Sequence, residues 1–189
     1  MKRIFLLLIA VLWSIGSLLN AQELVRAKDP RTGLYGYKYE NSKKWVVKPK
    51  YYQAGYFHEG LAYVIKKKGR HDKSSPKYFA GYIDQAGKIV IPLKFEWAND
   101  FHEGIAAVKV WDDTSIFHWR FGYIDTTGRY IVPPIYNYVE DFKGGYAHVR
   151  WYDEYGYCWA ATIDKNGRQV NKWQYGNTRL PEGETKPRW

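Results

Sequence analysis

The chain has 189 residues and one cysteine, Cys158, so it is long enough for one domain with its own core, and an internal disulfide is excluded. Its net charge of +10 raises the question of an anionic partner. Its aromatic content of 19%, with 9 Trp and 18 Tyr, must be assigned either to a core or to a binding face.

Residues 1–21 read as a secretory signal peptide. Lys2 and Arg3 form a short positive head, Ile4 to Leu19 is almost wholly apolar, and Ala21 offers a small residue for cleavage before Gln22. The 16-residue apolar run is shorter than the roughly 20 residues of a membrane span. A retained anchor is the alternative, and membrane contact would then run through this segment alone. No cysteine follows the run to carry a lipid. The expected location is therefore outside the cytoplasm: periplasm, cell surface or medium. Residues 22–33 follow as a polar lead-in.

From residue 34 a block of about 41 residues is written nearly three times, then in part. Gly36, Gly81 and Gly122 are equivalent, as are Pro49, Pro92 and Pro133, then Phe57, Phe101 and Phe142, then Gly60, Gly104 and Gly145. The units fall at about 34–78, 79–119 and 120–158, with a broken copy at 159–175 that suits a terminal cap and a loose tail at 176–189.

Each unit reads as three short antiparallel strands. The first centres on Gly-Tyr-Ile and the second on an aliphatic run such as Lys88 to Ile91. Between them lies Asp-x-x-Gly, Asp84 to Gly87 and Asp125 to Gly128. An Asp carboxylate can accept an N–H two residues on, and Gly tolerates positive φ, so the spacing is a hairpin turn. The proline, lacking an N–H, is expected to end the second strand. The third strand alternates, as in Ala106, Val108 and Val110, and its small residues imply close approach of a neighbouring sheet. No helical period is sustained. The fold class is all-β, an open curved array of tandem repeats; propeller-like closure is the alternative, but three three-stranded units fall short of four four-stranded blades.

Repeat one carries a basic insertion, Lys66 to Lys77, including Lys67, Lys68 and Arg70. An exported chain without a nucleic-acid motif makes nucleic acid an unsuitable partner, so this is a solvated loop, or a contact for acidic glycan or headgroups. Phe57, Phe101 and Phe142 recur in place and are core. Trp97, Trp111, Trp119, Trp151 and Tyr152 vary between units. They are the candidate binding surface, and at least some of them are expected to lie together on one concave face beside the basic loop. The competing reading is that thin sheets need large side chains to bury enough area.

Catalytic chemistry has no constellation to rest on. His58 and His102 share a repeat position, and the repeat explains them without a metal. Glu96, Asp100, Asp112, Asp113, Glu140, Asp141, Asp153 and Glu154 are acids, but sequence does not place two across one cleft. Cys158, between Tyr157 and Trp159, reads as a buried thiol rather than a nucleophile, with pairing between chains as the alternative. No cofactor or metal is expected, and the chain is not expected to be an enzyme.

The composite pattern resembles the WG-repeat family of bacterial proteins, also called KWG repeats. Gly81-Tyr82-Ile83-Asp84-x-x-Gly87-Lys88, Pro92 and Phe101-x-x-Gly104-x-Ala106-x-Val108 match it closely, as do Gly122 to Arg129, Pro133 and Phe142-x-x-Gly145-x-Ala147-x-Val149. The naming Trp is replaced by Tyr35, Ala80 and Phe121, a packing change. The signal segment resembles that of exported proteins of the Bacteroidetes type. The resemblance implies β-rich repeats and supplies no catalytic residues. The expected role is non-catalytic binding or scaffolding, with another envelope protein as partner; a carbohydrate or peptidoglycan ligand is the alternative.

Overall fold

The computed structural model describes residues 23–68, 77–115, 117–153 and 155–179. The expected signal peptide, Arg70 with most of the basic insertion, Glu154 and the tail beyond residue 179 lie outside the described residues. The described chain is all-β, with strands β1 (Leu24–Lys28), β2 (Tyr35–Tyr39), β3 (Trp45–Tyr51), β4 (Gln53–Ala54), β5 (Leu61–Lys67), β6 (Tyr78–Asp84), β7 (Ile89–Phe95), β8 (Trp97–Ala98), β9 (Ile105–Trp111), β10 (Trp119–Asp125), β11 (Tyr130–Tyr136), β12 (Tyr138–Val139), β13 (Tyr146–Tyr152), β14 (Tyr157–Asp164) and β15 (Gln169–Arg179). They form four separate antiparallel sheets in the orders β1-β2-β3, β4-β5-β6-β7, β8-β9-β10-β11 and β12-β13-β14-β15.

The repeat and the sheet are out of phase. The second unit supplies β6, β7, β8 and β9, yet β6 and β7 belong to the second sheet while β8 and β9 belong to the third. Each sheet joins the end of one unit to the start of the next, as in the unbroken β9–β10 register from Trp111↔Trp119 to Ile105↔Asp125. Backbone hydrogen bonds therefore cross every repeat boundary, and no unit is a self-contained sheet.

Three expectations are corrected here. The sheets after the first have four strands, because the two-residue strands β4, β8 and β12 pair with β5, β9 and β13. The proline does not end its strand: Pro49, Pro92 and Pro133 lie inside the edge strands β3, β7 and β11. An edge strand needs no N–H on its open side, and the proline sits where the register jumps, Tyr82 facing Ile91 and Ala80 facing Phe95. The bulged strand crosses close over Gly122, where a Cβ would stand 2.7 Å from the Val132 carbonyl oxygen. Lastly, part of the polar lead-in is β1, which covers the edge of β2 along Leu24↔Tyr39 to Lys28↔Tyr35, and β15 continues past residue 175 to Arg179.

The Asp-x-x-Gly turn performs two tasks. Asp125 Oδ1 accepts the N–H groups of Thr127 at 2.9 Å and Arg129 at 3.1 Å, and Gly128 takes a φ of +83°. The same turn rests on the sheet before it: a Cβ on Gly128 would lie 2.9 Å from Ile91 Cγ2, and one on Gly87 or Gly167 would lie 2.6 Å from Val47 or Val132. At the corresponding place in the last sheet stands the exposed Asn171, whose side chain accepts from the Thr162 N–H. That strand offers no apolar seat for another turn, as a capping unit requires.

Three cores result, each shared by two successive sheets. Tyr37, Val47, Val64 and Ile83 fill the first; Ile65, Tyr82, Ile91, Phe101, Val108 and Ile124 the second; Tyr123, Val132, Phe142, Val149, Trp151 and Ile163 the third. The buried tyrosines of the Gly-Tyr pairs satisfy their hydroxyls on backbone: Tyr37 Oη donates to the Gly55 carbonyl at 2.8 Å, Tyr82 to Asn99 at 2.7 Å and Tyr123 to Glu140 at 2.6 Å. Among the described residues the main contacts between sheets join chain neighbours, which makes an open array.

Candidate functional site

Successive units are tied along one ridge by the segment that reads Phe-His-Glu-Gly. It folds as a tight turn closed by His102 and Ile105, with Glu103 at φ 57° and Gly104 at φ 85°. A glutamate in the left-handed region is strained, and the surrounding contacts give the reason. Glu103 accepts the N–H groups of Gly144 at 2.6 Å and Gly145 at 2.9 Å, both in the next unit, and Lys165 Nζ approaches its carboxylate at 2.9 Å. Glu59 reaches Gly104 N at 2.8 Å in the same way. In the third unit the strained position is Gly144, and no glutamate remains to reach forward. The Lys165 contact, followed by the two backbone donors, holds the Glu103 carboxyl below the usual range.

His58 and His102, 44 positions apart in sequence, are brought together here with ring centroids 5.5 Å apart. His58 Nε2 lies 3.5 Å from Asp100 and His102 Nε2 lies 3.9 Å from Asp141. Burial pushes Asp100 up, opposed by His58 and His102. The groove beside them, about 590 Å³, is floored by Phe101 and Phe142. Among the described residues no three ligating side chains converge for a metal ion.

Most acids have structural duties. Asp84, Asp125 and Asp164 hold turns. Glu96 pairs with Lys109 at 3.6 Å and Asp112 with Arg120 at 3.3 Å. Asp153 accepts from the Trp159 indole and from two backbone N–H groups.

The fold places the five chosen rings in different surroundings. Trp151 is buried at 2% exposure among the third core, opposite Trp159 across the β13–β14 ladder. It is removed from the candidate surface, because the alternation of β13 turns it inward with Val149 and Ala147. Trp111 stacks on His118 at 5.2 Å with the planes 5° apart. Trp97, 36% exposed, contacts Tyr63 at 6.4 Å and donates its indole N–H to Asn99. Lys66, Lys67 and Lys68 are exposed, and Lys66 Nζ lies 6.0 Å from the Tyr51 ring.

Two of the chosen residues do meet. Trp119 and Tyr152 flank Phe117, at 5.6 Å and 6.2 Å, in the joint between the third and fourth sheets. With Asn137, Tyr138, Arg150 and Cys158 they line a pocket of about 150 Å³. Cys158 itself is buried. The Arg150 guanidinium lies 3.8 Å from the Tyr138 ring centroid. Asn137 occupies the one-residue corner between β11 and β12, equivalent to Glu96 between β7 and β8 and to Tyr52 between β3 and β4. Glu96 has Lys109, and the exposed Tyr52 stacks on Tyr78 at 5.0 Å. The Asn137 carboxamide is buried, and no protein group reaches hydrogen-bond distance of either its Oδ1 or its Nδ2. Sequence offered only one hint of this residue, namely that its corner position changes identity in every unit.

Two of the outer edges share one arrangement. Trp97 faces Lys109 across β8–β9, and Tyr138 faces Arg150 across β12–β13 at the same register. Lys109 Nζ also lies 5.2 Å from the Trp119 ring. Both Trp97 and Tyr138 are exposed. The arrangement, an aromatic residue opposite a basic one, occurs on these two edges; at the first edge Gln53 faces Ile65 instead.

The family model described as WG containing repeat matches the chain at residues 38–69, 81–111 and 121–150. No curated protein matches it significantly.

Proposed function

We propose that this chain, which carries three copies of the WG repeat, is a non-catalytic binding module of the cell envelope that docks a protein partner on its aromatic edge. The observation that supports this most is the aromatic–cation pair repeated on successive edge strands, Trp97 with Lys109 and Tyr138 with Arg150. Flat rings with few torsions lose little entropy on docking, and Trp, Tyr and Arg dominate binding energy at protein interfaces. Equivalent positions of a repeat array line up, so one partner can engage several units. The non-catalytic part is supported by the employment of the acids in turns, ion pairs and ties between units. The envelope part rests on the export signal read from residues 1–21.

Affinity capture from the native envelope with wild-type protein and with a Trp97→Ala, Tyr138→Ala double variant tests the reading. The expected outcome is a protein recovered reproducibly by the wild type and lost by the variant. Recovery of no protein, or equal recovery by both, refutes it. The same exposed rings also fit stacking on sugar. Glycan or peptidoglycan binding that depends on Trp97, with no protein captured, would establish that second reading.

A further inference from the structure

We propose that the joint between the third and fourth sheets is an anchor pocket for one apolar side chain of a polypeptide, whose adjoining peptide group is read by the Asn137 carboxamide. This rests on the protein-binding reading above and adds the place and chemistry of the contact.

Size selects the occupant. Ligand sites for small molecules run to about 300–1,000 Å³, and this pocket is about 150 Å³, room for one side chain rather than an oligosaccharide. Its walls select the chemistry. Phe117, Trp119, Tyr138 and Tyr152 supply rings, and among the described residues the lining contains no carboxylate to favour a cation. Arg150 is already laid over Tyr138. Asn137 adds a carboxamide, with one carbonyl acceptor and an NH₂ donor, both buried and unmet by protein. A peptide group offers the matching N–H and C=O, so one amide can serve the other at both ends.

The position matters because Asn137 is a poor choice for packing alone. A buried amide without partners is unfavourable, and such groups are rare in folded proteins. The equivalent corners differ: Glu96 has a countercharge, Lys109 Nζ at 3.6 Å, although its Oε2 too lacks a hydrogen bond, and Tyr52 turns its ring outward. Leucine, which shares asparagine's branching at Cγ, would bring no polar atom to leave unmet. An asparagine there is explained by a group that arrives from outside the chain.

The test is an NMR titration of the isotope-labelled chain with N-acetyl-leucinamide, with methyl glucoside as the sugar probe. N-acetyl-leucinamide should shift the Asn137 side-chain NH₂ and Trp119 indole signals saturably, and slow alkylation of Cys158, which shares the pocket. Asn137→Leu should weaken that binding about tenfold, the loss expected when a buried hydrogen-bonding pair is removed, while its unfolding midpoint stays at or above that of wild type. Asn137→Ala is the second variant and should also lose affinity. Overturning results are no saturable shift at these signals, equal binding by wild type and both variants, or saturation by methyl glucoside in place of the blocked amino acid. These results leave the envelope capture unaffected: a partner captured through Trp97 and Tyr138 with a silent pocket refutes the pocket alone. A pocket that titrates while capture recovers no protein refutes the proposed partner.

Discussion

Replacing Gly128 with alanine probes the contact that joins one sheet to the next. Gly128 has φ +83°, where a non-glycine residue costs about 1–2 kcal/mol. The new Cβ would also stand 2.9 Å from Ile91 Cγ2 and 3.4 Å from Cγ1, against ordinary carbon contacts of about 3.5–4.0 Å. The neighbour in question is a buried β7 residue in the second core, so relief requires moving packed atoms, at about 1–3 kcal/mol. Together the loss is about 2–5 kcal/mol, or roughly 4–20 °C in Tm for a domain of this size. Gly104 is the built-in control: its φ is +85° and nothing lies within 4 Å of a Cβ there, so Gly104→Ala should cost only the backbone part, about 1–2 kcal/mol. Denaturant unfolding followed by tryptophan fluorescence measures both. In an Ile91→Ala background the Gly128→Ala increment should shrink towards that of Gly104→Ala, since the clash is gone and the strained φ remains. If Gly128→Ala costs no more than Gly104→Ala, or if Ile91→Ala leaves its increment unchanged, the turn does not rest on the preceding sheet and the account of the array fails.

Trp151→Ala should cost about 3–5 kcal/mol, as for a large core residue, whereas Trp97→Ala should stay within about 1 kcal/mol; equal losses in denaturant unfolding would show that the two rings are misassigned. Glu103 stabilises the fold through a carboxyl held below its ordinary pKa. That contribution is complete above the unfolded-state value and is lost as pH falls through the lower folded value. Glu103→Gln should therefore flatten the acid side of the stability–pH profile, and an unchanged profile would remove the tie between units. Asn137→Leu should stabilise by about 1–3 kcal/mol because it removes a buried amide without protein partners; a clear destabilisation in the same unfolding assay would mean that the carboxamide is already satisfied.

Much of the fold was legible because it is written in short-range terms. The Asp-x-x-Gly spacing specifies a turn within four residues, and alternation such as Ala106, Val108 and Val110 marks a strand with no knowledge of its partner. The phase of the sheets was not legible. The third strand of one unit could pair within its unit or with the next, and the same alternation serves both. Proline was read as a stop because the local rule removes an N–H from a ladder; the structure places it on an edge, where that N–H was not needed. Nothing local marks Glu103 as a residue at positive φ, because its partners Gly144 and Gly145 lie a full unit away.

The candidate site divides along the same line. Trp119 and Tyr152 were chosen for their type, and the fold brings them to one joint. Trp151 was chosen on the same ground, yet alternation along β13 sends it to the core. His58 and His102 share a repeat position, and only stacking of the units makes them neighbours at 5.5 Å. Local pattern determines most of the strands, the turns and the period of about 41 residues. The tertiary structure decides which rings face water, which acids tie units together, and that the Asn137 carboxamide is buried without a protein partner. A side chain's environment is set by residues distant in sequence, and in a repeat array those belong to the neighbouring unit.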